Sequence, residues 1–224
     1  MHTDPATDYE QGFVPFLDCT IYLDSRPLIP RMETEYWVEK VIRKWSVDSG
    51  QRTGKELRVL DLFSGSGCIG VALLKHMPHT AVDFGELEER HIPTIMKNIR
   101  ENGIDAPRAH VIVTDVFSNI RGTYNVIVAN PPYVSHLSNV LEKSVAEHEP
   151  HEAVFADDDG FDFIERTIEG AKLHLEAGGE LWIEHDPEQA ERLSQCGERA
   201  GFSTQTHRDQ FNRLRYTILS IAHH

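Results

Sequence analysis

From about residue 57 onward, short apolar runs alternate with longer stretches whose apolar positions recur at helical spacing. The short runs predict strands, because glycine or polar turn residues flank them, and the longer stretches predict helices. The predicted strands cover residues 57–63, 80–86, 110–114, 124–129, 180–185, 203–207 and 214–221, and the predicted helices cover 33–45, 69–76, 88–102, 161–175 and 188–200. Residues 1–30 carry only short apolar pieces and are predicted to be irregular, as is the polar segment 47–55.

The order of these elements predicts an α/β fold. Strands that alternate with helices form a mostly parallel sheet covered on both faces. Only a short loop separates the last two predicted strands, so they should form an antiparallel hairpin at the sheet edge. The prediction is a Rossmann-like, seven-stranded sheet, mostly parallel, with an antiparallel C-terminal edge hairpin. It divides the chain into an N-terminal segment with its helix, residues 1–45, and an α/β domain, residues 46–224.

Size and charge narrow the classes of function. The 224 residues suit one sizeable α/β domain. The chain has 22 Lys and Arg against 36 Asp and Glu, a formal net charge of −14. Such a chain repels a phosphate backbone at long range, which disfavours nucleic acid as a direct substrate and is compatible with a basic protein partner.

Other features indicate the compartment. No run approaches the ~18 apolar residues of a membrane-spanning helix, so no membrane association is expected. The N-terminus is polar and acidic, unlike a secretory signal. Three widely spaced cysteines indicate a reducing environment. We therefore expect a cytoplasmic protein.

A glycine turn follows the first predicted strand of the domain. Its sequence, Asp-Leu-Phe-Ser-Gly-Ser-Gly at 61–67, leads into a helix with unpaired N–H groups at its start. Gly65 and Gly67 allow a ligand to approach the backbone closely. Asp61 would repel a pyrophosphate, but it could hold the ammonium of an amino-acid-like ligand, directly or through water. S-adenosylmethionine carries such an ammonium and therefore fits better than NAD; an ordinary tight turn is the alternative.

Acidic residues end the next two strands. Glu86 ends the second one, where an acid binds the hydroxyls of a ribose. Asp83 is a rival, although it lies within the strand. Asp115 follows the third strand and could accept a hydrogen bond from the adenine amine, but a turn aspartate explains it nearly as well.

The segment Asn130-Pro131-Pro132-Tyr133 directly follows an apolar strand. Two prolines fix φ and provide no N–H donors, so the loop presents carbonyl oxygens rigidly, and Asn130 adds an amide oxygen. Tyr133 offers a flat face for stacking. This array of acceptors suits a substrate that presents a planar NH₂ group, and it predicts methyl transfer to a nitrogen of the amide type.

With these motifs the chain resembles the HemK/PrmC family of protein-(glutamine-N5) methyltransferases, over roughly 13–221. The shared segments begin with Leu28-Ile-Pro-Arg-Met-Glu-Thr-Glu35, which is similar to the family's IPRPETE signature. They continue with the loops at 61–67 and 130–133, His148-Glu-Pro150, Asp159-Gly160 and the strand 181–185. The resemblance makes 46–224 the S-adenosylmethionine-dependent catalytic domain, with S-adenosylhomocysteine as the product.

The resemblance also implies a substrate and its contacts. The substrate would be the glutamine of the GGQ motif in class I peptide-chain release factors. The residues implied to contact the cofactor, beside Asp61 and Asp115, are Phe63, Ser64, Gly65, Ser66, Gly67, Glu86, Val116 and Asn130. Those implied to contact the glutamine are Asn130, Pro131, Pro132 and Tyr133.

The chain departs from the family at three points. Met32 stands where proline is usual, and Val116 replaces a frequent aromatic beside the adenine. Bacterial members carry an N-terminal helical domain that helps to dock the release factor, and the few residues before Phe13 are too short to form it. An accessory subunit that replaces this domain is therefore an expectation.

Arg31, Glu33 and Glu35 have two interpretations. They could anchor the helix that begins nearby, since acids stabilise a helix N-terminus, or Arg31 and Glu33 could bind substrate in a segment that covers the pocket. No metal is expected, because His148 and His151 form no regular metal-binding pair and a loop before a helix explains the acidic run at 157–159 as well as a cation would.

Two rival functions remain from sequence alone. The tetrapeptide at 130–133 also occurs in methyltransferases that act on exocyclic amines of RNA or DNA bases, which would favour a basic surface. The second rival is a non-catalytic partner protein that binds S-adenosylmethionine, because Phe63 and Val116 differ from the residues that are common at these positions of the cofactor site.

Overall fold

The computed structural model describes residues 5–51, 56–132, 134–135, 155–156 and 161–221. The motifs at 148–151 and 157–160 lie outside them, as does Tyr133. The described strands, in chain order, are β1 (Phe13–Phe16), β2 (Cys19–Tyr22), β3 (Leu57–Leu62), β4 (Thr80–Glu86), β5 (Ala109–Val113), β6 (Tyr124–Ala129), β7 (Val134–Ser135), β8 (Phe155–Ala156), β9 (Leu175–Glu184), β10 (Phe202–Arg208) and β11 (Leu214–Ile221).

The main sheet has seven strands in the order β10-β11-β9-β6-β3-β4-β5. The five strands from β9 to β5 run parallel to one another. β11 is antiparallel to β9, and β10 is antiparallel to β11 at the edge. The predicted fold, including the C-terminal edge hairpin, is confirmed.

The described helices are α1 (Pro5–Gln11), α2 (Met32–Gln51), α3 (Cys68–His76), α4 (Ile92–Glu101), α5 (Asp162–His174) and α6 (Ala190–Ala200). Two predicted boundaries were wrong. α2 continues through most of the segment predicted as a loop, and β9 begins at Leu175, before the Gly178-Gly179 pair. Among the described residues, no helix is both long and apolar enough to span a bilayer.

The prediction that residues 1–30 are irregular was also wrong. α1 is followed by a hairpin of two four-residue strands, in which Val14 faces Ile21. One face of this hairpin is buried, because Val14, Phe16, Cys19 and Ile21 are each less than a tenth exposed. The strands are too short for their alternating pattern to stand out in the sequence.

Side chains along each central strand alternate between two hydrophobic clusters. Val59, Val126 and Val128 belong to the cluster under α2, α3 and the hairpin. Leu60 and Ile127, their neighbours in sequence, belong to the cluster under α5 and α6. This alternation explains the near-continuous apolar runs, because a parallel sheet is buried on both faces.

Asn98 fastens the N-terminal hairpin to the domain. This fully buried side chain on α4 accepts a hydrogen bond from the Tyr22 N–H at 2.7 Å and donates to the Tyr22 and Ser66 carbonyls at 3.1 and 2.8 Å. The Ser66 contact also links the hairpin to the glycine turn.

Replacing Asn98 with alanine is expected to lower the free energy of unfolding by about 3 kcal/mol, since buried backbone groups would lose their partners. Chemical denaturation measures this change. The matched control is Asn119→Ala, an exposed asparagine, with an expected cost below about 1 kcal/mol. Equal effects of the two substitutions would contradict the conclusion that Asn98 fastens the hairpin to the domain.

Candidate active site

A cavity opens at the carboxyl ends of β3, β4, β5 and β6. It is lined by Leu28, Leu62, Phe63, Gly65, Gly85, Glu86, Leu87, Glu88, Arg90, His91, Thr114, Asp115, Val116, Asn130, Pro132 and Phe163. Ligands bind at this edge in open α/β sheets. The glycine turn and the loop at 130–132 thus share one cavity.

Asp61 lies behind the cavity wall. Its side chain is buried, and Oδ2 accepts a hydrogen bond from the Gly70 N–H at 2.9 Å. Oδ1 is buried and has no hydrogen-bond partner among the described residues. Burial raises the pKa of Asp61 to about 8, and the Glu86 carboxylate adds to the rise while the Gly70 bond opposes it. A buried acceptor of this kind lacks a donor, which an ammonium would supply.

The turn itself is held by its serine and glycine residues. Ser64 is buried and donates to the Asp61 carbonyl at 2.7 Å, so its hydroxyl supports the turn from behind. Ser66 and Gly67 also lie outside the cavity lining. Gly67, at φ 77°, has the left-handed conformation that suits glycine, and a Cβ there would lie 3.1 Å from Ile95 Cγ2.

Two bulky cavity residues share that left-handed conformation. Phe63 has φ 60° and Val116 has φ 49°. A left-handed backbone costs a residue with a Cβ roughly 1 kcal/mol or more. Such strain clusters at functional sites, where the surrounding structure holds it in place.

Glu86 is fixed by two backbone donors. Oε2 accepts from the Gly65 N–H at 2.7 Å and Oε1 from the Glu88 N–H at 2.8 Å. Each carboxylate oxygen can accept a further hydrogen bond, and Glu86 lines the cavity. The rival Asp83 instead accepts from the Tyr124 hydroxyl at 2.7 Å and is not a lining residue. The geometry favours Glu86 for a ribose diol.

Glu86→Ala is therefore expected to weaken binding of S-adenosylhomocysteine by roughly 10- to 100-fold, the value of one or two charged hydrogen bonds. Isothermal titration calorimetry measures this affinity. Glu101→Ala, an acid on α4 that lies outside the cavity lining, is the control and should not alter it. Unchanged affinity in Glu86→Ala would remove Glu86 from the ribose site.

The Asn130 loop faces the same cavity. Asn130 follows β6 directly, and its Oδ1 is buried without a hydrogen-bond partner among the described residues. Pro131 is buried, and Pro132 lines the cavity. A buried amide oxygen without a donor is costly, so it points to a ligand that presents N–H groups.

The N-terminal part of α2 is tied to the sheet by Glu184, which sequence reasoning missed. This buried carboxylate at the end of β9 accepts hydrogen bonds from Thr34 Oγ1 at 2.8 Å and Trp37 Nε1 at 2.7 Å. β9 pairs with β6, so α2 begins beside the Asn130 loop. Glu184 lies in the motif strand 181–185, but the sequence does not show that its partners are Thr34 and Trp37.

The acids of α2 differ in their surroundings. Glu35 Oε1 accepts from the Leu17 N–H at 2.9 Å and so anchors the hairpin turn. Glu33 Oε2 is buried and has no hydrogen-bond partner in the described part of the chain. Neither Arg31 nor Glu33 lines the cavity.

His185 is a structural residue. It is fully buried, with Nδ1 2.9 Å from the Asp186 carbonyl and Nε2 3.0 Å from Thr217 Oγ1. Burial lowers its pKa to about 4. The imidazole is therefore neutral near pH 7.

The order of the seven strands, together with the cavity at the carboxyl ends of the parallel strands, defines the class I S-adenosylmethionine-dependent methyltransferase fold. A family model described as "Methyltransferase small domain" matches residues 49–153. The catalytic domain of hMettl16, solved with the MAT2A 3'UTR hairpin 6, superposes with a TM-score of 0.69 at 15% identity, covering 93% of this chain and 77% of that one. At this identity the likeness concerns the fold alone.

Curated relatives are more specific. The release factor glutamine methyltransferase of Flavobacterium psychrophilum is 34% identical over 184 residues, which are 79% of this chain and 61% of the relative. The protein of the same name from Streptococcus pneumoniae is 28% identical over 214 residues, 94% of this chain and 73% of the relative. The chain is a homologue of the release factor glutamine methyltransferases. It spans less than two thirds of the length of the Flavobacterium protein.

Proposed function

We propose that this chain transfers a methyl group from S-adenosylmethionine to the side-chain amide nitrogen of a protein glutamine, in the GGQ motif of a class I peptide-chain release factor. The observation that carries the proposal is the buried Asn130 Oδ1, which no described residue bonds, in the cavity that Gly65 and Glu86 also line. The relatives named release factor glutamine methyltransferase support the choice of substrate.

The cavity fits S-adenosylmethionine, which supplies an electrophilic methyl group on sulfur when bound. Asp61 Oδ1, which has no hydrogen-bond partner among the described residues, would accept from the ammonium, and Glu86 would accept from the ribose hydroxyls. Asp115 and Val116 line the part of the cavity at the end of β5, where an adenine would lie. Ser64, Ser66 and Gly67 shape the turn rather than the cavity surface.

Asn130 and the two prolines would prepare the amide for reaction. An amide nitrogen is a poor nucleophile, because its lone pair is delocalised into the carbonyl. Hydrogen bonds from the NH₂ group to Asn130 Oδ1 and the Pro131 carbonyl would orient this nitrogen toward the methyl group. They would also stabilise the positive charge that develops on nitrogen. Tyr133 would stack against the planar amide.

Arg31 and Glu33 are proposed substrate contacts at the entrance beside α2. Glu33 has a buried oxygen without a partner in the described part of the chain, and the Glu184 bonds hold its helix beside the Asn130 loop. An acidic surface also suits a basic protein partner. A cytoplasmic location is also part of this proposal.

The test is incubation with S-adenosylmethionine labelled on the methyl group and one acceptor at a time: a purified release factor, a GGQ peptide or RNA. Label on the glutamine nitrogen, identified by mass spectrometry, is the expected result. Label on RNA alone would replace the glutamine assignment with a base amine. Cofactor binding without transfer to any acceptor would instead favour a non-catalytic partner module.

A further inference from the structure

Helix α5 contributes to the cavity, although it comes later in the chain than the loops after β3, β4, β5 and β6 that form most of the site. Phe163, in the first turn of α5, lines the cavity together with Thr114, Asp115 and Val116. No motif in the sequence includes this residue. The only phenylalanines among the described lining residues are Phe63 and Phe163.

The position of Phe163 matches the base end of a nucleoside. With Glu86 at the end of β4 as the proposed ribose contact, the base would extend toward the next strand, β5. The residues just after β5 are Thr114, Asp115 and Val116, which share the cavity wall with Phe163. Val116 provides only a small aliphatic surface there, whereas Phe163 adds an aromatic ring from α5.

Arg166 joins α5 to that loop. Its guanidinium lies 2.7 Å from Asp115 Oδ1 and 5.7 Å from the centre of the Phe163 ring. Phe163 and Arg166 are three positions apart on the helix and therefore lie on one face. The salt bridge engages Asp115 Oδ1, and because the Asp115 side chain is about half exposed, the carboxylate could also accept from a donor such as the adenine amine.

The orientation of the Phe163 ring is fixed from the other side by Phe63. The two ring centroids are 5.7 Å apart and the planes meet at 81°. Phe63 is itself held in the left-handed conformation described above. A partly exposed aromatic ring that is held in place at a cavity wall is suited to stacking on a planar ligand.

We propose that Phe163 is the residue that stacks on the adenine of S-adenosylmethionine and that Arg166 positions Asp115 for the adenine amine. This inference rests on the proposed function, because it assigns a part of the same cofactor site. It makes α5, rather than the residue after Asp115, the main source of binding energy for the base.

The test compares two ligands in isothermal titration calorimetry. S-Adenosylhomocysteine carries adenine and the amino-acid part, whereas methylthioadenosine carries adenine without it. Phe163→Leu should weaken binding of both by the same factor, roughly 10-fold, since stacking of a base on an aromatic side chain is lost. Phe163→Tyr should restore both affinities to within about twofold, because the ring is kept.

Two controls separate stacking from a structural effect. Phe211→Leu makes the same change at an exposed site in the β10–β11 turn and should alter neither affinity. Asp61→Asn should weaken S-adenosylhomocysteine far more than methylthioadenosine. Phe163→Leu with unchanged affinities, or a loss confined to S-adenosylhomocysteine, would overturn the inference. A wild-type chain that binds neither ligand would overturn the proposed function as well.

Discussion

Replacing Asn130 with alanine is expected to lower the rate of methyl transfer by about 100- to 1000-fold, the usual effect of removing one preorganised polar group from an active site. The reason is that the buried Oδ1 would orient the amide nitrogen and stabilise its developing charge, and alanine offers no acceptor. Single-turnover transfer from labelled S-adenosylmethionine to a release factor measures this rate.

The affinity for S-adenosylhomocysteine should change by less than about threefold in the same variant, because most proposed cofactor contacts lie at the ends of β3, β4 and β5 or in the loops that follow them. Asn130→Asp is the informative companion: it keeps an oxygen acceptor and should retain more activity than Asn130→Ala. Asn119→Ala, outside the cavity lining, controls for the loss of an asparagine. Wild-type turnover in Asn130→Ala would remove Asn130 from the mechanism.

The sheet and the meeting of its loops could be predicted because both depend on local pattern. A strand buried on both faces leaves an apolar run that is visible in sequence, as at Val126–Ala129. Parallel strands also place their carboxyl ends at one edge, so Glu86 and Asn130 were expected to lie in one site. The shared cavity has this arrangement.

The N-terminal hairpin could not be predicted, because its stability comes from distant partners. Asn98 and Asn102, on and after α4, bind the backbone of Tyr22 and Thr20 across about 80 residues of sequence. The pattern of apolar residues within the hairpin does not indicate these hydrogen bonds. The same applies to Glu184, whose role depends on the helix that it holds.

Cavity residues carried by helices were missed for a related reason. Phe163 belongs to an amphipathic helix, and its sequence does not distinguish a core position from a cavity wall. The contact of Phe163 with Phe63, and the nearby Asp115–Arg166 pair, show that Phe163 lies at the cavity wall. Sequence identifies the loops that end strands better than the helices that close over them.

Asp61→Asn is expected to weaken S-adenosylhomocysteine binding by roughly 100-fold, since a buried cation would lose its paired charge. Asn keeps the shape of the side chain and can still accept the Gly70 hydrogen bond. Calorimetry with both S-adenosylhomocysteine and methylthioadenosine measures the effect. Methylthioadenosine has no ammonium, so its affinity should change little. Equal losses for the two ligands would contradict the proposed contact with the ammonium.

The affinity of the wild-type chain should also depend on pH through Asp61. Its pKa is raised to about 8 by burial, so the carboxyl is mostly protonated at pH 6. A bound ammonium favours the ionised form, and binding therefore releases a proton. Affinity should rise between pH 6 and pH 7 by up to about tenfold for each pH unit, and this rise should be absent in Asp61→Asn. Calorimetry in buffers of different ionisation enthalpy detects the released proton.

The stability of the ligand-free chain should show the opposite preference. The pKa of Asp61 is higher in the folded state than its ordinary value of 3.8, so ionisation favours unfolding. The free energy of unfolding should therefore lose the contribution of Asp61 as the pH rises from about 4 to about 8. Above pH 8, Asp61→Asn should be more stable than the wild type to chemical denaturation although it binds the ligand more weakly. A variant less stable at every pH would mean that Asp61 has a structural role. A buried carboxylate that binds an ammonium should instead lower the free energy of unfolding as long as that ligand is absent.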